Sequence, residues 1–161
     1  MAIARRHGLR VKALMSLGHP GESEQTIEET RRWLLEERPD DFDVTIITPY
    51  PGSPYYDDAE DGGMGTFTYR ASRSGDALHQ REIDYAATAD YYKGDPNDGY
   101  VSHVWTDYLF ADELVAARGR LESDVRERLA IPFNPAAAAV AYEHSMGQTA
   151  LPPRLLRSSN G

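Results

Sequence analysis

Residues 11–56 read VKALMSLGHPGESEQTIEETRRWLLEERPDDFDVTIITPYPGSPYY, and this stretch decides the fold. Two short apolar runs, Val11–Leu17 and Val44–Ile47, flank one segment with helical spacing of its apolar residues. Both runs carry β-branched residues. Short runs of this kind joined through a helix read as a βαβ unit with parallel strands.

Lys12 is the only charge in the first run, so that strand is expected to be buried over most of its length, as strands of covered parallel sheets are. Gly18-His19-Pro20-Gly21 then turns the chain. Ser23 is placed to cap the next helix, because its hydroxyl can accept from a free backbone N–H of the first turn. Glu22 and Glu24 set negative charge near the positive end of the helix dipole. Ile27, Leu34 and Leu35 share one face, while Glu28, Glu29, Arg32 and Glu36 fall largely off it. Pro39 ends the helix, since a residue before proline resists helical torsion angles. The second strand stops at Pro49, and PYPGSP cannot extend a ladder because prolines lack the N–H donor.

Outside this unit the chain offers less. Its 161 residues suffice for one domain with a real core. There is no cysteine, which removes disulfides and any cysteine-held zinc or iron–sulfur centre from this chain. The formal charge of −9 and a pI near 5.0 argue against nucleic acid or an anionic membrane as the main partner. No apolar run approaches a membrane span and no signal peptide is visible, so a cytoplasmic protein is expected. Asp57–Gly65 (DDAEDGGMG) is acidic and glycine-rich and reads as a loop, with no EF-hand spacing. Thr66–Tyr69 and Tyr100–Trp105 alternate like short strands. Leu78–Tyr92 fits a weakly apolar helix, and Lys93–Gly99 reads as a turn cluster. Asp112–Ala130 is a second helix, with Leu114, Ala117, Leu121, Val125 and Leu129 as its stripe and Glu122 and Arg126 outside it. Residues 142–161 read as a mobile tail.

For chemistry, the five histidines show no metal-ligand spacing, and no phosphate loop or nucleophile elbow is present. Glu22 sits at the mouth of the first strand beside His19, a pair suited to acid–base work. The plainer reading is that Glu22 accepts backbone N–H groups and fixes its loop. Ligands bind at the carboxyl ends of parallel strands. GHPGES and PYPGSPYY follow adjacent strands, so they should face the same side.

These two motifs closely resemble the second half of the radical S-adenosylmethionine (radical SAM) barrel. The likeness is to the branch in which a cobalamin-binding domain often precedes the barrel. Members of that branch commonly read G-[apolar]-P-G-E-T and then P-[aromatic]-P-G-T-P at these places. Here His19 replaces the apolar residue, and Ser23 and Ser53 replace threonine. The match covers Gly8 to Tyr56, and the pair of motifs is more specific than either alone. The resemblance implies an α/β fold: a partial (βα) barrel with parallel strands over residues 1–65. An irregular α-rich extension would follow over 66–141, including helix 112–130. It implies S-adenosylmethionine and a 4Fe-4S cluster for the full-length enzyme, and leaves cobalamin open. Met15, Leu17, Gly18 and Glu22 would then help seat the adenine side of S-adenosylmethionine. The cluster motif C-x-x-x-C-x-x-C is missing, so the chain is expected to be the C-terminal part of such an enzyme. Its partner would be a missing N-terminal barrel half or a neighbouring subunit, and its substrate a small organic molecule. Two other uses compete: a non-catalytic nucleotide- or partner-binding βαβ module, and a small hydrolase using His19 and Glu22.

Overall fold

A computed structural model describes residues 1–83 and 101–132. The βαβ unit is present. A short helix α1 (Ala2–Arg6) leads into β1 (Lys12–Leu17), which pairs in parallel with β2 (Asp41–Ile46) across α2 (Glu24–Glu37). Register runs from Lys12 opposite Asp41 to Leu17 opposite Ile46. Ser23 caps α2, accepting from the Thr26 N–H while the Thr26 hydroxyl takes the Ser23 N–H, a reciprocal capping box.

Strand alternation sorts the sheet into two faces. Ala13, Leu17, Phe42, Val44 and Ile46 are buried in the core, with Ile27 and Leu34 of α2. Lys12, Leu14 and Ser16 point the other way and are exposed, Leu14 at 65 %. The expectation of a strand buried over most of its length is therefore corrected. Among the described residues β1 is covered on one face only, because α2 and the last helix both share the core on that side.

Beyond β2, helix α3 (Pro54–Asp57) opens on Pro54 and is followed by a four-stranded antiparallel sheet. Its strands are β3 (Glu60–Gly63), β4 (Thr66–Arg70), β5 (Ala77–Arg81) and β6 (Val104–Thr106), in that spatial order. This corrects two expectations. The acidic stretch read as a loop holds β3, turned back by positive φ at Gly63, Met64 and Gly65. The segment read as a helix from Leu78 begins as β5, where Leu78 and Gln80 are buried and His79 lies on the opposite face. The described part of the extension thus holds three strands as well as the long helix at its end. The remainder of that expected helix, the turn at 93–99 and the tail at 142–161 lie outside the described residues. The boundary drawn after residue 65 falls inside the β3–β4 hairpin.

Helix α4 (Ala111–Leu129) packs against α2 and β2. Its stripe of Leu114, Ala117, Leu121 and Val125 is buried as periodicity predicts. Glu122 and Arg126, placed outside the stripe, are buried as well, at 7 % and 8 % exposure. The cause is the outer edge of β2, whose carbonyls would otherwise lack donors. Arg126 Nη2 donates to the Phe42 carbonyl at 2.8 Å, and Arg118 Nε donates to the Val44 carbonyl at 2.8 Å. Glu122 holds both guanidinium groups, at 3.1 Å and 2.7 Å. The fold is mixed α/β, with a parallel pair, an antiparallel sheet and no closed barrel among the described residues.

Candidate functional site at the strand ends

The two proline–glycine corners meet. Gly18 ends β1 at φ +85°, a torsion that favours glycine. A Cβ there would lie 3.2 Å from both Ile46 Cγ2 and Val104 Cγ2, so the close approach of three strands also demands it. His19 follows, and its Nδ1 lies 3.2 Å from the hydroxyl of Tyr55, in the PYPGSPYY corner. The rings meet edge to face at 6.0 Å, and Tyr55 in turn leans on Tyr69 of β4 at 4.9 Å. His19 Nε2 lies 2.8 Å from the Ser16 hydroxyl, on the uncovered face of β1. Burial lowers the His19 pKa below its ordinary 6.5, against the pull of Glu22, so the ring is neutral at pH 7. A neutral imidazole between two hydroxyls can accept a proton on one nitrogen while giving one from the other. Ser16, His19 and Tyr55 therefore form a short hydrogen-bonded row reaching the sheet's open face.

His19 and Glu22 share no hydrogen bond, and Glu22 takes the plainer, loop-fixing role. Glu22 is buried, accepts the Gly18 N–H at 3.1 Å and accepts the Thr26 hydroxyl. Its own carbonyl takes the Thr106 hydroxyl at 2.8 Å. Both nitrogens of His19 are engaged by other residues, so the carboxylate fixes the loop and the imidazole is left to its hydroxyl partners. Of the residues named for the adenine side, Leu17 is fully buried and Met15 packs against the core. Gly18 and Glu22 shape the rim from within.

The antiparallel sheet closes over one side of this rim. Gln80 Nε2 donates to the Tyr55 carbonyl at 3.0 Å, and Tyr108 donates to Asp76, which abuts Gly21. On its outer face, Thr68, His79 and Trp105 are successive cross-strand neighbours. His79 lies 3.0 Å from both Thr68 Oγ1 and Asp107 Oδ1 and stacks on Trp105. The Ala77 N–H and then His79 lower the pKa of Asp107. No sequence spacing announced this cluster, because it forms only once three strands are in register. A cavity of about 660 Å³ opens between β6 and the start of α4, beside Trp105, Arg81 and Phe110, and none of the motif residues lines it.

At the other end of the open face, Lys12 Nζ lies 2.9 Å from Asp43 and 3.1 Å from Asp41. Burial opposes the charge on Lys12, but the bonds to Asp43 and Asp41 outweigh it and raise its pKa. No group of three or more acidic, histidine or cysteine side chains among the described residues is placed to hold a metal ion. None of their helices is long and apolar enough to cross a membrane. Set against known proteins, the chain matches no family model, no curated protein and no solved structure.

Proposed function

We propose that this chain is the C-terminal part of a radical SAM enzyme, contributing two strands and their rim loops to a larger parallel barrel. One observation carries the reading. GHPGES and PYPGSPYY meet at the carboxyl end of a parallel pair, and that pair leaves one edge and one polar face uncovered among the described residues. In such a barrel the uncovered face would line the substrate chamber, and the missing N-terminal half or a neighbouring subunit would continue the sheet. The cluster does not fit this chain, which offers no cysteine; its ligands would belong to that partner. S-adenosylmethionine fits only in part. Gly18 and Glu22 can hold the rim, but the Glu22 carboxylate is spent inside the loop. The substrate class would be a small organic molecule in the cytoplasm, with cobalamin left open.

The test is co-expression with the cysteine-bearing polypeptide encoded upstream or beside this gene. The pair should purify together and bind iron, sulfide and S-adenosylmethionine, while this chain alone takes up no iron. Stoichiometric iron on the isolated chain overturns the reading, as does the absence of any C-x-x-x-C-x-x-C partner in the locus. A non-catalytic nucleotide- or partner-binding module is the second reading. It is favoured by the self-satisfied rim, in which Glu22 needs no ligand. Binding of S-adenosylmethionine by the isolated chain, with no cysteine-bearing neighbour, would select it.

A further inference from the structure

Phe110 breaks a local rule. It is the N-cap of α4, a position that favours serine, threonine, aspartate or asparagine, and its side chain supplies no capping bond. Glu113 instead reaches back and takes the Phe110 N–H at 2.7 Å. The Phe110 side chain is left 69 % exposed. It lines the cavity of about 660 Å³ between β6 and the start of α4, together with Trp105 of β6. Trp105 does not stand loose. Its ring lies 5.5 Å from that of His79 at an interplanar angle of 18°. His79 in turn is held at 3.0 Å by Thr68 on one nitrogen and at 3.0 Å by Asp107 on the other. The row of Thr68, His79 and Asp107 is therefore a buttress that fixes the indole in advance, so little ordering is needed for a ring to pack against it.

Charge narrows the occupant. Arg81 reaches the same cavity from β5, where its main-chain N–H donates to the His103 carbonyl at 2.9 Å. Its guanidinium forms no ion pair among the described residues and lies 6.0 Å from the centre of the Trp105 ring. In a chain of net charge −9, an unpaired guanidinium beside two aromatic side chains suits an anionic group carried on a flat apolar body. Val101 and Val115 add to the apolar lining. A mostly apolar cavity within the range of about 300–1,000 Å³, with few charged groups, fits a small molecule. Asp112 also lines it, in the first turn of α4, where the helix dipole favours its charge. That carboxylate repels a second negative charge, which sets a carboxylate ligand above a phosphate ester. We propose that this cavity binds a planar aromatic monocarboxylate, with its ring against Trp105 and Phe110 and its carboxylate on Arg81. None of the motif residues at the strand ends lines it, so the site is independent of the radical SAM reading.

The probe is 2-naphthoate, titrated into the full chain carrying Trp33→Phe, so that Trp105 is the sole indole. Trp105 emission should quench saturably. The uncharged 2-naphthalenemethanol and the dianionic 2-naphthyl phosphate should both bind more weakly. Arg81→Gln should weaken naphthoate binding by about tenfold or more, the scale of a hydrogen bond to a charged group, and leave naphthalenemethanol unchanged. Phe110→Ser supplies a favoured cap, so thermal stability should hold or rise while naphthoate binding falls. That variant serves if Arg81→Gln misfolds. Emission that responds to none of the three probes overturns the proposal. So does naphthoate affinity unmoved by folded Arg81→Gln or by Phe110→Ser, or binding of either other probe as tight as that of naphthoate. None of these outcomes touches co-purification with a cysteine-bearing partner, so the two readings fail separately.

Discussion

His19 lies between the two proline–glycine corners, and the site's local chemistry follows from it. A leucine at this position would only pack. The imidazole instead ties the β1 end to the second corner through Ser16 and Tyr55. Its cost appears in acid. Because burial holds the folded-state pKa below 6.5, the unfolded chain binds the proton more readily. Stability is therefore unaffected by this group well above the unfolded value. It falls as pH drops through that value and levels off once the folded ring also protonates. The difference in unfolding free energy between wild type and His19→Gln, measured by urea denaturation from neutral to mildly acidic pH, should shrink as pH falls. A difference that grows toward acid would mean that the ring is held charged, by Glu22, rather than neutral between hydroxyls. For Glu22 both uses were legible, with the loop-fixing one the plainer, but the sequence does not name the donor. The choice was made by Gly18, whose N–H points outward from β1 and needs an acceptor.

Elements show where sequence periodicity succeeds and where it stops. The spacing of Leu114, Ala117, Leu121 and Val125 predicts the buried face of α4 because those side chains seek the same core. It says nothing of Arg126, which is buried for a backbone reason. Arg126 fills the edge of β2, covers the Phe42 ring at 4.7 Å and reaches Asp41 and Pro132. Arg126→Met keeps the stem but strands the Phe42 carbonyl and leaves Glu122 to Arg118 alone. Removing one member of a buried charged network costs about 3 kcal/mol or more. Urea denaturation should show a loss of that order, with Arg126→Lys intermediate because a lysine cannot span carbonyl and carboxylate together. A loss within about 0.5 kcal/mol would place the guanidinium in solvent. β5 was misread for the opposite reason. Leu78 and Glu82 fit a helical spacing, whereas the pairing of Leu78 with Tyr69 and Thr106 is set by residues on other strands.

At the scale of the whole molecule, the βαβ unit and α4 were readable because each is built from local signals: caps, prolines and periodic apolar faces. Alternation also pointed to β4 at Thr66–Tyr69 and to part of β6 within Tyr100–Trp105, but the pairing of the antiparallel sheet and its docking were not readable, because they depend on side chains that meet only after folding. Thr106 is the clearest case. Its hydroxyl donates to the Glu22 carbonyl at 2.8 Å and accepts the N–H groups of Tyr108 and Leu109 at 3.2 Å and 3.1 Å. One buried oxygen thus joins the rim of the parallel pair, the end of β6 and the approach to α4, and Leu17, Ile46, Leu78 and Val104 share a single core across that joint. The chain's two tryptophans report the halves separately, Trp33 on α2 and Trp105 on β6. Their fluorescence transitions, followed in Trp33→Phe and Trp105→Phe, should coincide. Thr106→Val keeps the shape but leaves a buried carbonyl and two N–H groups unmet, a loss of about 2 kcal/mol. At the heat-capacity and entropy scale of a chain this size, that loss lowers the melting temperature by roughly 4–8 °C. Both tryptophan signals should move together. If Trp105 instead melts well before Trp33, the antiparallel sheet is an independent unit leaning on the parallel pair, and the shared core is not what holds the rim closed.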